Sequence, residues 1–299
     1  MPVELDGLPP LGEAIAKYGI SANRSLGQNF ILDLNLTRRI AREAGNLEDV
    51  SILEIGAGPG GLTRALLLEG ARQVLAVEID QRFEPVLFEL SEIARGRLTV
   101  VMDDGLKVQP LDYLDRPVKI VSNLPYGVAT RFLASWLECR KWPPFWQEIV
   151  VMLQREVAER VTATHGSKTF GRLTILCQFR SEAKIIANVS RQAFTPTPDV
   201  DSSIVRIVPR PSPLTPDGTA ALHDITRAAF GQRRKMLRRS LRQASRNIQD
   251  LLRASAIDPT WRAEDVPVDK FVRLAALVAQ GRSNERDFRF TPENWREQS

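Results

Sequence analysis

The residues Asn123-Leu-Pro-Tyr126 follow the fourth β-branched run of the chain and place a side-chain amide and an aromatic ring at one predicted strand end. An exocyclic amine such as adenine N6 is a poor nucleophile because its lone pair is delocalised, so its chemistry needs acceptors for the amine hydrogens. Asn123 Oδ1 and a backbone carbonyl of Leu124 or Pro125 can accept them. Tyr126 and Phe194 could stack on the two faces of an unstacked base, although both rings could equally fill a core.

Three glycines, Gly56, Gly58 and Gly60, follow the first predicted strand in Glu54-Ile-Gly-Ala-Gly-Pro-Gly-Gly61. Without a Cβ, the backbone can turn sharply there and approach a ligand closely. The spacing is not the Gly-x-Gly-x-x-Gly of most dinucleotide sites, and Pro59 removes one of the amide donors that would cradle a pyrophosphate. The pattern therefore favours a methyl donor over NAD, and a purely structural turn is the alternative.

Two further strand ends carry acids that could bind a nucleoside. Glu78 ends the second run, about twenty residues beyond the glycines, where a carboxylate can accept hydrogen bonds from both ribose hydroxyls. Asp103 and Asp104 follow the third run, and either could accept a hydrogen bond from an adenine amino group.

The elements that must position these residues alternate between strand and helix. Short helical patterns such as 61–68 and 85–94 separate the strands, and an amphipathic helix is expected near 34–44. Five β-branched runs are typical of buried parallel strands: Val50–Ile55, Gln73–Ile79, Leu98–Met102, Val118–Val121 and Ile149–Leu153. This order predicts an α/β fold with a Rossmann-like, doubly wound, mostly parallel sheet, whose ligands bind at the carboxyl ends of the strands.

The second half of the chain changes pattern twice. Residues 183–208 alternate apolar and polar side chains around a proline-stiffened loop, which predicts two more strands. After the prolines at 209–213 the pattern is helical, with 222–246 the longest helix candidate and others near Leu251 and Phe271. We therefore predict a domain over residues 1–208, a small all-helical domain over 209–299, and a loosely held tail over the last fifteen or so residues.

Composition and charge limit the class of protein. The chain has 43% apolar residues, no run of membrane-spanning length, and two cysteines and two histidines, so we expect a cytoplasmic monomer without a disulfide framework or metal site. Residues 205–299 carry 18 Lys+Arg against 11 Asp+Glu, which points to a C-terminal surface for a polyanion. The candidate RNA-binding residues are Arg233, Arg234, Lys235, Arg238, Arg239, Arg242 and Arg246.

Together these residues resemble the ribosomal RNA adenine dimethylase family over almost the whole chain. The resemblance extends to the following segments: Ser25-Leu-Gly-Gln-Asn-Phe30, Glu54-Ile-Gly-Ala-Gly58, Glu78-Ile-Asp80, Asn123-Leu-Pro-Tyr126, Phe194-Thr-Pro-Thr-Pro-Asp-Val-Asp-Ser202 and Phe230-Gly-Gln-Arg-Arg-Lys235. Small departures are Ala57, Gly105 and Ile31, where the family commonly has proline, alanine and leucine.

The resemblance implies a class I methyltransferase that uses S-adenosyl-L-methionine. Asn29 and the backbone at Ile31 would then lie near the methionine part of the cofactor, Gly56, Glu78 and Asp104 would contact its nucleoside, and Asn123 would mark the transfer site. The implied reaction is dimethylation of the N6 amines of two adjacent adenines near the 3′ end of small-subunit (16S) ribosomal RNA, in an immature subunit.

Two other functions remain open at this point. A large-subunit RNA adenine methylase of the antibiotic-resistance type shares the Gln-Asn-Phe and Asn-Leu-Pro-Tyr elements. A ribosome-assembly factor whose main service is binding would need the same basic surface. DNA adenine methylation is disfavoured because Leu124 stands where that family usually has proline.

Overall fold

The computed structural model describes residues 5–23, 27–139, 141–244 and 247–284, with side chains as far as residue 281. The described residues form two compact units. The sheet unit contains the chain up to Glu159 together with Ser181–Arg210, and the helical unit contains Arg160–Arg180 and the chain from Pro211 onward. Within the described ranges, no helix is both long and apolar enough to cross a membrane.

Seven strands in the described part of the sheet unit form one sheet, and a separate short pair lies beside the site. The strands of the large sheet are β2 (Ser51–Ile55), β3 (Gln73–Glu78), β4 (Leu98–Met102), β5 (Val118–Asn123), β6 (Trp146–Gln154), β7 (Ser181–Val189) and β9 (Ser202–Pro209). Their order is β4-β3-β2-β5-β6-β9-β7, and β2 to β6 run parallel while β9 and β7 are antiparallel.

This topology confirms the predicted doubly wound, mostly parallel sheet, and the β7–β9 pair confirms the two strands expected over 183–208. One detail was wrong. The third run was expected to be buried, but most of β4 is half-buried because it forms an edge of the sheet. The strand order reverses between β2 and β5, which is where a doubly wound sheet opens a ligand crevice.

Helices cover the parallel strands. In the sheet unit they are α1 (Leu11–Lys17), α2 (Leu34–Glu43), α3 (Gly61–Leu68), α4 (Glu84–Ile93) and α5 (Ala129–Leu137), and α6 (Arg155–Thr162) follows β6. The side chain of Asp33 accepts the amide of Asn35 and so caps α2, while α3 begins directly after the glycine loop. One buried apolar cluster joins α2, α3 and α4 to β2 and β3, and this packing fixes where the strand ends lie.

The short pair joins β1 (Phe30–Ile31) to β8 (Phe194–Thr195) in antiparallel register, with Ile31 opposite Phe194. These two segments are distant in sequence, but both belong to the motifs singled out above. The pairing therefore brings the N-terminal segment and the proline loop to one place.

The helical unit contains α7 (Arg172–Gln178), α8 (Pro216–Gly231), α9 (Leu237–Ser240), α10 (Ile248–Ala254) and α11 (Val268–Asn284). The predicted boundary at 208/209 lies close to the observed one at Arg210. However, residues 160–180, which were expected in the first domain, belong to the helical unit. The reason is packing, since Phe170, Ile175 and Phe179 join its apolar core and the Phe170 ring lies 6.1 Å from that of Phe230.

The single long helix expected over 222–246 was also wrong. Gln232 leaves the helical region with φ −125° and ψ 49°, and α8 ends at Gly231. The amides of Leu237 and Arg238 then donate to the carbonyls of Trp261 and Pro259 instead of to the preceding turn. These tertiary hydrogen bonds satisfy the backbone that an uninterrupted helix would have used. The expected tail, over roughly the last fifteen residues, lies outside the described residues.

Candidate active site

One cavity of about 560 Å³ opens at the carboxyl ends of the parallel strands. Ten of the predicted site residues line it: Asn29, Ile31, Gly56, Gly58, Glu78, Asn123, Leu124, Pro125, Tyr126 and Phe194. They come from five separate stretches of sequence that the fold brings to one edge of the sheet. Of the residues predicted to be catalytic or to bind the cofactor, Gly60 and Asp104 do not line this cavity.

The glycine loop adopts the backbone conformations that its sequence predicts. Gly56, Gly58 and Gly60 have φ values of 72°, 55° and 85°, in the left-handed region that other residues avoid. A Cβ on Gly56 would lie 3.1 Å from the Cδ atom of Pro125, so the loop and the Asn123–Tyr126 segment are in close contact. A Cβ on Gly60 would instead meet Leu90 at 3.1 Å, which places Gly60 against α4 and explains why it does not reach the cavity.

Glu78 is held in the cavity wall by backbone amides. Its Oε1 accepts from the amides of Ile79 and Asp80, both at 2.9 Å, and its Oε2 accepts from the amide of Gly58 at 2.8 Å. Burial raises the pKa of this carboxyl, which is 6% exposed, while the three amides act in the opposite direction. A carboxylate offers about four lone-pair sites, so Glu78 still has acceptor capacity for a ligand hydroxyl.

The two aspartates after β4 differ in exposure. Asp104 is half-buried and its Oδ1 accepts from the amide of Leu106 at 3.0 Å, whereas Asp103 is exposed and its Oδ1 accepts from the amide of Asp104 at 2.6 Å. Because β4 pairs with β3 as far as Met102 opposite Glu78, Asp104 follows the strand end beside Glu78. Its role at the cofactor stays a prediction.

Asn123 is the last residue of β5, and its side-chain amide makes no hydrogen bond with any other described residue. The neighbouring carbonyls differ from each other. The Pro125 carbonyl accepts from the amides of Val128 and Ala129, at 3.1 and 3.2 Å, as α5 begins. The Leu124 carbonyl has no such partner in the described chain. Of the two carbonyls that the sequence left open, that of Leu124 is therefore the one available to a substrate amine.

Tyr126 and Phe194 are held by the stretch of chain that runs from β8 to the first residue of β9. The Tyr126 hydroxyl lies 2.6 Å from the Oγ atom of Ser202, and burial raises the pKa of this phenol. Phe194 pairs with Ile31 through the β1–β8 ladder and is 3% exposed. Its ring packs in the apolar core and also forms part of the cavity wall. The core interpretation and the base-stacking interpretation of Phe194 therefore each fit part of its surroundings.

Sequence reasoning did not assign a role to Glu54, although it lies in the cavity wall. This side chain is 1% exposed and accepts a hydrogen bond from Thr63 Oγ1 at 2.6 Å. Burial chiefly, with a smaller contribution from the nearby Glu78, raises its pKa from 4.5 to about 8, although the hydrogen bond from Thr63 acts in the opposite direction. The one available signal was its position two residues before Gly56, at the end of a run that was itself expected to be buried.

A polar network that the sequence also left unassigned holds the N-terminal segment against the cavity. Gln28 Nε2 donates to Asp80 Oδ2 at 2.8 Å, and Arg82 pairs with the same carboxylate oxygen at 2.6 Å. Arg82 chiefly, with help from Gln28, lowers the pKa of Asp80 to about 2. The network fixes the residues that immediately precede Asn29.

The candidate RNA-binding residues of the helical unit differ in their surroundings. Arg233 is paired with Glu264 at 2.5 Å and donates to the Lys168 carbonyl at 2.6 Å, so much of its hydrogen-bonding capacity is used within the unit. Lys235, Arg239 and Arg242 line a polar cleft of about 490 Å³. The other described candidates, Arg234 and Arg238, are exposed. Arg246 lies outside the described residues.

The searched part of the chain contains no group of three or more His, Cys, Asp or Glu side chains that could hold a metal ion. The cavity wall includes glycines, the carboxyl of Glu78 and the amide of Asn123, which has no partner among the described residues. A model of the ribosomal RNA adenine dimethylase family matches residues 19–280 of this chain. The chain belongs to this family. It is accordingly an S-adenosylmethionine-dependent methyltransferase that acts on adenine in ribosomal RNA.

Curated members of the family are similar over nearly their whole length. The ribosomal RNA small subunit methyltransferase A of Ruegeria pomeroyi is 51% identical over 92% of this chain and 99% of its own. The protein with the same description from Xanthobacter autotrophicus is 51% identical over 93% of this chain and 97% of its own.

Two solved structures are similar in fold. The 23S ribosomal RNA methyltransferase ErmE shares 27% identity at a TM-score of 0.63, covering 83% of this chain and 98% of that one. A dimethyladenosine transferase from Plasmodium falciparum has a TM-score of 0.64 at 22% identity, covering 81% of this chain and 94% of that one, and supports the fold alone.

Proposed function

We propose that this enzyme dimethylates the N6 amines of two adjacent adenines near the 3′ end of small-subunit ribosomal RNA. The single observation that carries the chemical part is the free amide of Asn123 beside the free carbonyl of Leu124, both in the cavity that the glycine loop borders. The choice of RNA rests on 51% identity with the Ruegeria small-subunit enzyme against 27% with ErmE.

The residues of the cavity fit S-adenosylmethionine in size and in chemistry. Gly56 and Gly58 border the cavity with backbone atoms alone, and Glu78 retains acceptor capacity suited to ribose hydroxyls. Asn29 Nδ2 donates to the Gly27 carbonyl, and Asn29 Oδ1 has no partner among the described residues. Asn29 and Ile31 would face the methionine part, and Asp104 the adenine. Gly60 would contribute by shaping the turn rather than by contact.

Asn123 and Leu124 prepare the adenine amine. S-adenosylmethionine supplies the methyl group on a positively charged sulfonium, which is already a good leaving group. Asn123 Oδ1 and the Leu124 carbonyl would accept hydrogen bonds from the two N–H groups in the first transfer and from the one remaining N–H in the second, and this favours a pyramidal nitrogen whose lone pair can be aimed at the donor. In each transfer the new N–C bond replaces the S–C bond of the donor, and the nitrogen loses one proton to solvent. Because both acceptors belong to a strand end, they are held in place before the substrate arrives, and the remaining gain comes from proximity.

Tyr126 and Phe194 would hold the base that leaves its stack. Stacking on aromatic side chains stabilises an unstacked base by about 1–3 kcal/mol per base. Pro125 keeps the Asn123–Tyr126 segment rigid and rests against Gly56. The pocket therefore selects a single-stranded or flippable adenine by shape and by its amine.

The helical unit would bind the RNA backbone. We assign the phosphate contacts to the cleft residues Lys235, Arg239 and Arg242, with Arg234, Arg238 and Arg246 as further candidates, and we assign Arg233 mainly to the architecture of the unit. The substrate would be an immature small subunit in the cytoplasm, and the free protein would be a monomer.

The test is mass spectrometry of nucleosides from immature small subunits incubated with purified protein and S-adenosylmethionine, with large-subunit RNA in parallel. Dimethyladenosine in the small-subunit RNA alone, lost in Asn123→Ala, is the expected result. Product in the large-subunit RNA alone would replace the proposed substrate with the resistance-type one. No product in either RNA would contradict the proposal and favour an assembly role based on binding.

A further inference from the structure

Strands β2 and β5 separate where the glycine loop and the transfer motif face each other. Their parallel ladder has Leu53 opposite Ile120 as its last pair among the described residues. Each strand still pairs with its other neighbour beyond this point: β2 with β3, where Ile55 lies opposite Val77, and β5 with β6, where Asn123 lies opposite Met152. The separation opens the cavity, but it removes the backbone acceptor that a continued ladder would give to the buried amide of Ile55.

The hydroxyl of Ser122 replaces that acceptor. Its Oγ accepts from the Ile55 amide at 2.9 Å, and the Ser122 side chain is 0% exposed. The donor immediately precedes Gly56 and the acceptor immediately precedes Asn123. One buried hydrogen bond therefore joins the start of the glycine loop to the start of the transfer motif, across the gap where the two strands no longer pair.

A second contact crosses the same gap. A Cβ on Gly56 would lie 3.1 Å from Pro125 Cδ, so the two segments also lie close together at these residues. The Ser122–Ile55 hydrogen bond and the Pro125 ring thus both constrain the spacing of the two segments. The hydrogen bond is shielded from water, because Ile55 and Ser122 are both buried.

We infer that Ser122 is a positioning residue for methyl transfer, which sets the distance between the cofactor-binding loop and the two amine acceptors. The inference rests on the proposed function, since it assigns Ser122 to the spacing between Gly56 and Asn123 in that reaction. Transfer rates fall steeply when reacting groups are misplaced, by about a hundredfold for a 1 Å error, whereas binding of either ligand alone tolerates small shifts. Ser122 should therefore affect the transfer step much more than cofactor affinity.

The experiment compares three substitutions at this position with a matched control. Ser122→Ala removes the acceptor, Ser122→Cys nearly keeps the volume but offers only a weak acceptor, and Ser122→Thr keeps the hydroxyl. Ser51 provides the control because it is also fully buried on the sheet, at the opposite end of β2, and accepts from Arg72 Nη2 at 2.9 Å. Ser51→Ala thus loses a buried serine hydrogen bond away from the cavity.

The single-turnover rate of methyl transfer to small-subunit RNA is measured with saturating cofactor, together with the cofactor Kd by calorimetry and the Tm. For Ser122→Ala and Ser122→Cys we expect the rate to fall about tenfold or more, with the Kd changed less than about threefold. Ser122→Thr should recover most of the rate, and Ser51→Ala should lower the Tm while keeping the wild-type rate.

A wild-type rate in Ser122→Ala would overturn the inference, and so would an equal loss of rate in Ser51→Ala, which would indicate general destabilisation. If Ser122→Thr does not fold, Ser122→Cys still distinguishes the loss of the hydrogen-bond acceptor from a change in side-chain volume. The activity of the wild-type enzyme on the same RNA is measured first. If the wild type is inactive, the proposed function is contradicted. If only the Ser122 variants lose activity, the result concerns the positioning role alone.

Discussion

Glu54 is a buried carboxyl in the cavity wall, and its protonation should make the stability of the sheet unit depend on pH. Burial raises its pKa from 4.5 to about 8, so near neutral pH the folded protein keeps a proton that the unfolded chain has released. Where the folded state binds more protons, the free energy of unfolding falls as pH rises. We therefore expect Glu54 to lower stability progressively above about pH 4.5 and to have its full effect above about pH 8.

The magnitude follows from the same values. One pKa unit corresponds to about 1.4 kcal/mol, so between about pH 6 and pH 8 the Glu54 contribution should fall by roughly 2 kcal/mol. Glu54→Gln keeps the shape and an acceptor for the Thr63 hydroxyl but cannot ionise. The difference in unfolding free energy between the variant and the wild type should rise by that amount over this pH range and level off above it.

The assay is urea unfolding of the full chain without cofactor, monitored by hydrogen exchange of the β2 amides. Because β2 lies in the sheet unit, its exchange reports the free energy of unfolding of that unit. Glu69→Gln is the control, because Glu69 is also a glutamate but its pKa is lowered, chiefly by Arg42, so that it binds no proton near neutral pH in the folded or the unfolded state. The free energy of unfolding of that variant should differ from that of the wild type by a constant amount between about pH 6 and pH 8. A constant difference for Glu54→Gln as well would refute the assignment of a proton to Glu54 at neutral pH.

Three further predictions concern the site and the helical unit. Tyr126→Phe keeps the ring but loses the Ser202 partner, so kcat should fall about tenfold with an unchanged cofactor Kd. Ser202→Ala should give the same loss and the double variant no more, whereas additive losses would contradict the coupling. Glu78→Gln should weaken cofactor binding in calorimetry by about ten- to a hundredfold, because a charge-assisted hydrogen bond contributes about 1.5–3 kcal/mol. Unchanged cofactor affinity would exclude Glu78 from the ribose site. Arg233→Ala should lower the Tm of the helical unit through loss of the Glu264 pair and leave the salt dependence of RNA binding unchanged, whereas Arg239→Ala should reduce the salt slope by about one. The reverse pattern in filter-binding and melting experiments would show that Arg233 binds phosphate.

The local features of the site could be read from the sequence because they depend on neighbouring residues. Glycines at 56, 58 and 60 were expected to turn, and all three have positive φ values. Alternating β-branched and helical patterns predicted the parallel strands, and parallel strands carry their ligands at one edge. The gathering of Glu78, Asn123 and the glycine loop in one cavity followed from that rule without knowledge of any contact.

The parts that sequence reasoning missed depend on contacts between distant residues. The helix expected over 222–246 ends at Gly231 because Leu237 and Arg238 donate to carbonyls more than twenty residues away. In the sequence Arg233 does not differ from its basic neighbours, and only the fold shows that it pairs with Glu264. Residues 160–180 joined the helical unit because their apolar side chains pack there, although they precede two strands of the sheet.

The sequence by itself thus determined the alternation of strands and helices, the glycine turn and the chemistry available at Asn123–Tyr126, since each depends on residue type and short spacing. Tertiary structure alone decided which of the two carbonyls is free, that Glu54 is buried enough to retain a proton, and that Ser122 bridges strands 67 positions apart in the chain. The physical reason is that solvation and hydrogen-bond partners belong to the folded surroundings of a group. No pattern of neighbouring residues specifies them.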